Sequence, residues 1–274
     1  MKPGRLRVAI HANTSSHQQR AANALAHGFA SHGHQVVRAG FDEPAPCDVA
    51  VIWGWKQPRV IEATPAVLVA EGAHVGPRLK QVSLGWNGLG GRATYPECLD
   101  TGERWNERYG ALMQPWNWRD GYALVLGQVE GDAALAGICF SAWVQQTVNE
   151  LAHMGQDVVY RPHPLIRDGW CPSGATLSPG SRMSIGGLAK DLAGASFAVT
   201  YNSTSAVECV LAGVPTVACD AGSMAWDVTS HCVEEYPIKP DRTPWAHRLA
   251  WSQWAWDELA NGDAVDALLA VRAV

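Results

Sequence analysis

The sequence predicts an α/β protein made of two parallel-sheet halves. Three observations carry this reading. Apolar runs of strand length recur along the chain, helical spacing or a capping cluster follows most of them, and the alternation stops and restarts once near the middle. A length of 274 residues suits one large domain or two small ones.

Residues 5–11 have short strand character, and residues 13–16 (Asn-Thr-Ser-Ser) supply helix-capping side chains. Over 18–31, Ala21, Ala22, Leu25 and Phe29 fall on one helical face, and Gly33 closes that helix. Residues 35–38 read as a second strand, and 48–53 and 66–70 as buried strands. Residues 85–118 are dense in Gly, Trp and Asn and read as loop. The rhythm then restarts, with strands at 122–126, 157–160, 197–200 and 215–219 and helices at 142–154, 185–193 and 205–212. A closing helix is expected over 244–260. The expected organisation is one Rossmann-like domain over 1–118, a second over 119–240, and a segment 241–274 whose helix packs back across the junction. Two such domains facing a cleft bind ligands outside the carboxyl ends of their strands.

Composition narrows the function classes. At 47% hydrophobic and 17% charged residues the chain is not a disordered one. No apolar run approaches the roughly 20 residues of a membrane span, and the amino terminus has no secretory apolar region. Seven scattered cysteines without a CxxC pair disfavour a disulfide framework or zinc ribbon. The expectation is a reduced, cytoplasmic protein. The net charge of −5 is split unevenly: residues 1–118 carry +3 and residues 119–274 carry −8. Arg supplies 16 of the 21 basic residues, which suits bidentate phosphate contacts as well as it fits a coding bias.

Three constellations sit at expected strand ends. In Gly127-Gln-Val-Glu-Gly-Asp132, the amide of Gln128 and the carboxylate of Asp132 can orient a polar ligand or serve as base or nucleophile; a turn or helix cap is the plainer reading of such an Asp. In Tyr160-Arg-Pro-His-Pro164, two prolines stiffen the backbone around His163, and Arg161 and His163 suit a phosphate or carboxylate. In Tyr201-Asn-Ser-Thr-Ser-Ala-Val-Glu208, the hydroxyls of Ser203, Thr204 and Ser205 precede a helix start, which makes an anion site, and Glu208 can accept ribose hydroxyls. Ser205 and Glu208 also fit a capping box. There is no GxGxxG after the first strand, no P-loop and no DxD, so a nicotinamide dehydrogenase, a P-loop kinase and a metal-bridged sugar nucleotide are disfavoured. The irregular spacing of His11, His17, His27, His32 and His34 favours capping or solvated roles over a metal.

Taken together, Gly-Gln-Val-Glu-x-Asp, Arg-Pro-His-Pro and Ser-Thr-Ser-Ala-x-Glu with Ala-Gly-Val-Pro resemble the capsular polysaccharide Kdo transferases over residues 120–230. The resemblance implies a GT-B fold of two Rossmann-like domains and a nucleotide-sugar donor (UDP-, GDP- or CMP-linked) with no tightly bound cofactor and no metal. It implies Asp132 as the catalytic carboxylate, Gln128 as its companion amide and His163 facing the donor phosphate. Arg161, Ser203, Thr204, Ser205 and Glu208 would then hold the donor. Two departures are Arg161, where the family often has Lys, and Gly222-Ser-Met-Ala-Trp226, where it has an aromatic-Gly-Trp-Gly sequence. Residues 248–262 are similar to the C-terminal helices of small phage-encoded glycosyltransferase-like proteins, some of which decorate hydroxymethylated pyrimidines in DNA.

The expectation is therefore a glycosyltransferase acting on a 5-hydroxymethylpyrimidine in phage DNA in the host cytoplasm. The alternatives are transfer to a surface or capsular glycan and a catalytically silent nucleotide-sugar or nucleic-acid binding module. Asn13, Ser15, Trp53, Trp55, Trp86, Asn87 and Trp116 are the acceptor-side candidates, with Trp118 as a further residue able to wedge or stack on a base.

Overall fold

The structure is a computed structural model, and it describes residues 4–78, 80–117, 119–166, 168–182, 186–235 and 237–272. In chain order the elements are β1 (Arg7–His11), α1 (Ser16–Ser31), β2 (Gln35–Ala39), β3 (Val49–Trp53), α2 (Pro58–Ala63), β4 (Val67–Gly72), β5 (Gln81–Trp86) and α3 (Glu103–Arg108). There follow β6 (Tyr122–Leu126), α4 (Phe140–His153), β7 (Val158–Arg161), β8 (Thr176–Leu177), α5 (Gly187–Leu192), β9 (Ala195–Thr200), α6 (Ser205–Leu211) and β10 (Thr216–Ala218). The chain ends with α7 (Thr243–Trp251), β11 (Gln253–Ala255), α8 (Trp256–Asn261) and α9 (Asp263–Arg272). It divides into two compact units, Met1–Arg108 with Ala246–Val274, and Tyr109–Trp245, so the second division falls inside α7.

Unit 1 has a six-stranded sheet of order β11-β5-β4-β3-β1-β2. The pairs among β1, β2, β3 and β4 are parallel, whereas β5 pairs antiparallel with both β4 and β11. Alternation sorts its side chains. Val8, Ile10, Val51, Leu68 and Leu84 pack under α1, α8 and α9 with Leu25, Phe29, Leu259 and Leu268. Ala50, Ile52, Val67 and Val69 face Val60 of α2. Gly28 of α1 lets the α8 backbone lie against it, since a Cβ there would meet Leu259 O at 2.1 Å.

The carboxyl-terminal segment departs from the single helix expected over 244–260. Between α7 and α8, Gln253, Trp254 and Ala255 form an edge strand against Ser83, Val82 and Gln81. The physical reason is long-range. Trp254 is 1% exposed in the unit 1 core, and Gln253, wholly buried, takes the N–H groups of His74 and Val75 on Oε1 (2.9 and 3.2 Å) and donates to Val75 O (2.9 Å). The loop expected over 85–118 likewise gives up its first residues to β5 and others to α3.

Unit 2 has a five-stranded sheet, all parallel, of order β10-β9-β6-β7-β8. On one face Val125, Tyr160, Val199 and Val217 pack against Phe140, Val144, Val148 and Leu151 of α4. On the other, Leu124, Leu126 and Ala198 pack against Leu192 of α5 and Cys209 of α6. Chain order reverses between β6 and β9, and at such a reversal an open parallel sheet leaves a crevice at its carboxyl edge.

Candidate active site

Five segments leave the carboxyl edge of unit 2, and those after β6, β7, β9 and β10 carry the three motifs and Asp220. The first two are drawn together at Gly127. Its N–H donates to Arg161 O (2.7 Å), and a Cβ there would lie 2.7 Å from Tyr160 Oη and 3.0 Å from His163 N. Only glycine allows this approach, which sets the start of the Gln128–Asp132 loop beside the Pro-His-Pro backbone.

Within the β6 loop the two carboxylates do different work. Both oxygens of Glu130 accept the first N–H groups of α4, from Phe140 (2.8 Å) and Ser141 (2.9 Å), and those bonds hold its carboxyl below the usual range. Asp132 caps a 3-10 turn at Ala133–Leu135, with Oδ1 accepting from Ala134 N at 3.0 Å. Among the described residues its Oδ2 has no hydrogen-bond partner, and the side chain is half-buried. The turn-capping role is therefore real and leaves one oxygen for chemistry.

Gln128 does not stand free beside Asp132 as a ligand-orienting amide. Its Oε1 accepts from Asn202 N (3.0 Å) and its Nε2 donates to Asn202 Oδ1 (2.9 Å), a reciprocal pair across the β6/β9 crevice. Arg161 is also committed. Its guanidinium pairs with the wholly buried Asp191 at 2.5 Å, a carboxylate that also accepts from Ser178 Oγ and from Gly180 N (2.8 Å). The Arg161 side chain is 12% exposed, so its charge is balanced inside unit 2. His163 is half-buried, and its Nδ1 accepts from Leu165 N at 3.2 Å. That bond places the proton of the neutral ring on Nε2.

In the β9 loop, Thr200 Oγ1 accepts from Ser203 N (3.1 Å) and Ser203 Oγ from Ser205 N (3.2 Å). Thus α6 begins at Ser205 itself, with Thr204 before it and no side-chain cap, and the capping box expected of Ser205 and Glu208 does not form. Ser203, Thr204 and Ser205 are half-buried at the carboxyl edge. Glu208 is exposed and borders a pocket of about 300 Å³ with Asn117, Arg119, Leu192, Ala212 and Val214. Arg119, Leu192 and Val214 precede β6, β9 and β10, so this pocket marks the opposite, amino edge of the sheet. The structure brings Asp132, His163 and Ser203–Ser205 to one edge, and Glu208 stands in the first turn of α6, three residues after Ser205, bordering the pocket just described. Asn202 and Asp191 were not singled out in the sequence, because their partners lie far along the chain.

The acceptor-side candidates sort into three groups. Asn13 Oδ1 accepts from Ser15 N (2.8 Å), a turn leading into α1, and Ser15 itself is exposed. Trp53 is half-buried, edge-on to His17 at 5.1 Å, and His17 also meets Trp256 at 5.2 Å. Trp55 is half-buried against the α2-side core. Three others are corrected. Trp86 is 4% exposed with its indole N–H on Leu268 O, a core residue without a free face for a base. Asn87 holds a left-handed turn (φ 56°), its Oδ1 accepting from Val67 N. Trp116 belongs to unit 2, where the Arg242 guanidinium lies 4.0 Å over its ring and its N–H meets Pro240 O. Trp118 lies outside the described residues. Among the described residues no group of three or more His, Cys, Asp or Glu is placed to hold a metal ion, and no helix is long and apolar enough to cross a membrane.

No family model and no curated protein matches the chain. Among solved structures it is similar to the beta Kdo 2,7 transferase KpsC of Thermosulfurimonas dismutans, with a TM-score of 0.54 and 14% identity over 94% of this chain and 98% of that one. The fold is of the GT-B type. The calicheamicin glycosyltransferase CalG4 and the glycotransferase of kitacinnamycin each align over 99% of this chain and over 98% and 100% of their own, at 10% and 12% identity. Their TM-scores of 0.32 and 0.31 are too low to bear on the fold.

Proposed function

We propose that the protein is a glycosyltransferase that moves a sugar from a nucleotide-sugar donor to a hydroxyl acceptor. The observation that carries this reading is the convergence of Asp132, His163 and Ser203–Ser205 at the carboxyl edge of unit 2. His163 donates Nε2–H to the departing phosphate, and the Ser203–Ser205 hydroxyls take its remaining oxygens, stabilising the charge that develops there. Arg161 stiffens the loop through Asp191 rather than meeting the donor head-on.

Asp132 Oδ2 is the group for the anomeric carbon. As nucleophile it forms a C–O bond while the sugar–phosphate bond breaks and the pair leaves on phosphate. The acceptor hydroxyl then displaces Asp132, passing its proton to the departed phosphate, and the anomeric configuration is retained. As base it takes the acceptor proton, and the configuration inverts. No step requires a metal, so chelator leaves the rate unchanged.

For the acceptor, the DNA reading rests on the +3 charge of residues 1–118 and on the candidate tryptophans there. With Trp86 and Trp116 engaged in their own units, the half-buried Trp53 and Trp55 are the members of that set left among the described residues. The likeness to KpsC, named as a Kdo transferase, favours a glycan acceptor. The test is mass spectrometry of the purified protein with UDP-, GDP- and CMP-sugars and with hydroxymethylated DNA, plain DNA or Kdo-terminated glycan. A sugar-sized gain on glycan alone supports the glycan reading, and a gain on modified nucleosides alone establishes the DNA one. Donor binding without any gain or hydrolysis marks a silent binding module and overturns the enzyme.

A further inference from the structure

We propose that Asn202 is the positioning residue that holds Asp132 in its working geometry; this rests on the role just given to Asp132. Asn202 is 6% exposed and lies two residues past the end of β9. Besides its reciprocal pair with Gln128, its Nδ2 donates to Asp220 Oδ1 (2.8 Å) and to Ala134 O (2.7 Å). Two oxygens face Nδ2 and the Gln128 amide nitrogen faces Oδ1, so the amide orientation is fixed by its partners.

Ala134 is the link to the reactive carboxylate. Its N–H is held by Asp132 Oδ1 and its C=O by Asn202 Nδ2, so the turn is clamped at both ends of one residue. Asp220 anchors the clamp from the β10 loop, where the same Oδ1 accepts from Gly222 N (2.9 Å). One amide therefore ties the carboxyl-edge loops after β6, β9 and β10 and fixes the peptide on which Asp132 rests. Only a carboxamide supplies one acceptor and two donors here; a carboxylate or hydroxyl does not.

The test pairs Asn202→Ala with the swap Asn202→Asp/Asp220→Asn in the full chain. Hydrogen exchange of the Ala134–Ala136 amides and donor kinetics are read together. Asn202→Ala should speed that exchange about tenfold. It should lower kcat about a hundredfold, the cost of a misplacement of order 1 Å, with donor KM within about threefold. The swap rebuilds the bond between positions 202 and 220 with reversed polarity but sets a carboxylate against Ala134 O. It should recover Tm while exchange and kcat stay at the Asn202→Ala level. Unchanged exchange in Asn202→Ala, or a swap that restores kcat along with Tm, overturns the proposal. A wild-type protein that transfers no sugar overturns the glycosyltransferase reading instead, and the exchange measurement still decides what Asn202 holds.

Discussion

The two units, one with a mixed sheet and the other with an all-parallel one, fasten their key segments by different chemistry. In unit 2 the turn that carries Asp132 is tied by neutral amides, Gln128 to Asn202 and Asn202 to Ala134, with Asp220 as their anchor, while the Arg161–Asp191 ion pair holds the neighbouring β7 loop. In unit 1 the returning segment is fastened by a buried ionic cluster. Arg104 reaches both Glu258 oxygens (2.5 and 3.1 Å) and the carbonyls of Ala250 and Gln253, between the rings of Trp251 and Trp254. Arg108 meets the same carboxylate at 2.7 and 2.8 Å. Amide ties fix geometry with little dependence on pH. A carboxylate shared by two guanidiniums fixes a chain end at the expense of acid sensitivity. Activity and stability should therefore fail separately.

The largest separation is expected at Asp132. Asp132→Ala should lower transfer by at least about a thousandfold, as loss of a covalent or base group does, while donor affinity by calorimetry stays within about tenfold and Tm moves little. Surviving activity would remove Asp132 from the chemistry and leave it as the turn cap that Ala134 shows it to be.

Glu258 is the mirror case. Glu258→Ala leaves a buried Arg104 without its partner, and such breaks cost about 3–5 kcal/mol. Tryptophan fluorescence should report the loss, because Trp251 and Trp254 flank Arg104. Burial pushes the Glu258 carboxyl up, but the bonds from Arg104, Arg108 and Ala255 N outweigh it and hold the group below its ordinary value. A depressed folded pKa adds stability that is full above the unfolded value of about 4.3 and is lost as pH falls through the folded one. Acid unfolding of unit 1 should thus lose its steep limb below about pH 4.3 in Glu258→Gln. An unchanged acid profile would place the acid sensitivity elsewhere.

His163→Ala should cost about ten- to a hundredfold in turnover and weaken donor binding together, since the ring meets phosphate before and during departure. Binding left intact would withdraw the phosphate contact.

What the sequence made legible follows the same division. The strands of continuous apolar residues, such as Val49–Trp53 and Tyr122–Leu126, declare themselves because both faces are buried. The three motifs fall at strand ends because sheet topology puts polar side chains there. β5 stayed hidden because Gln81, Ser83 and Gly85 interrupt its apolar pattern although every residue is buried. β11 stayed hidden because a Trp-rich amphipathic stretch reads as helix until Ser83, Val82 and Gln81 are beside it. Asn202 sat in plain view inside Asn-Ser-Thr-Ser, but its partners Gln128 and Asp220 are brought to it only by the parallel order of β6, β9 and β10.

The smallest expected effect is also the one that separates motif from geometry. The resemblance gives Glu208 to the donor ribose, and the helix spacing of Ser205 and Glu208 invites that role. In the structure, the exposed Glu208 stands in the first turn of α6 and borders the pocket with Asn117 and Arg119. A hydrogen bond to a bound ribose is worth about 0.5–1.5 kcal/mol net, more for a carboxylate acceptor, so its loss would show as a several-fold weaker donor. Glu208→Gln should instead leave donor affinity within about twofold, while Ser203→Ala weakens it by several-fold through the released Ser205 N–H and the lost hydroxyl. If Glu208→Gln weakens the donor tenfold and Ser203→Ala does not, the ribose is held from α6, and the donor reaches further down that helix than the carboxyl-edge loops alone would place it.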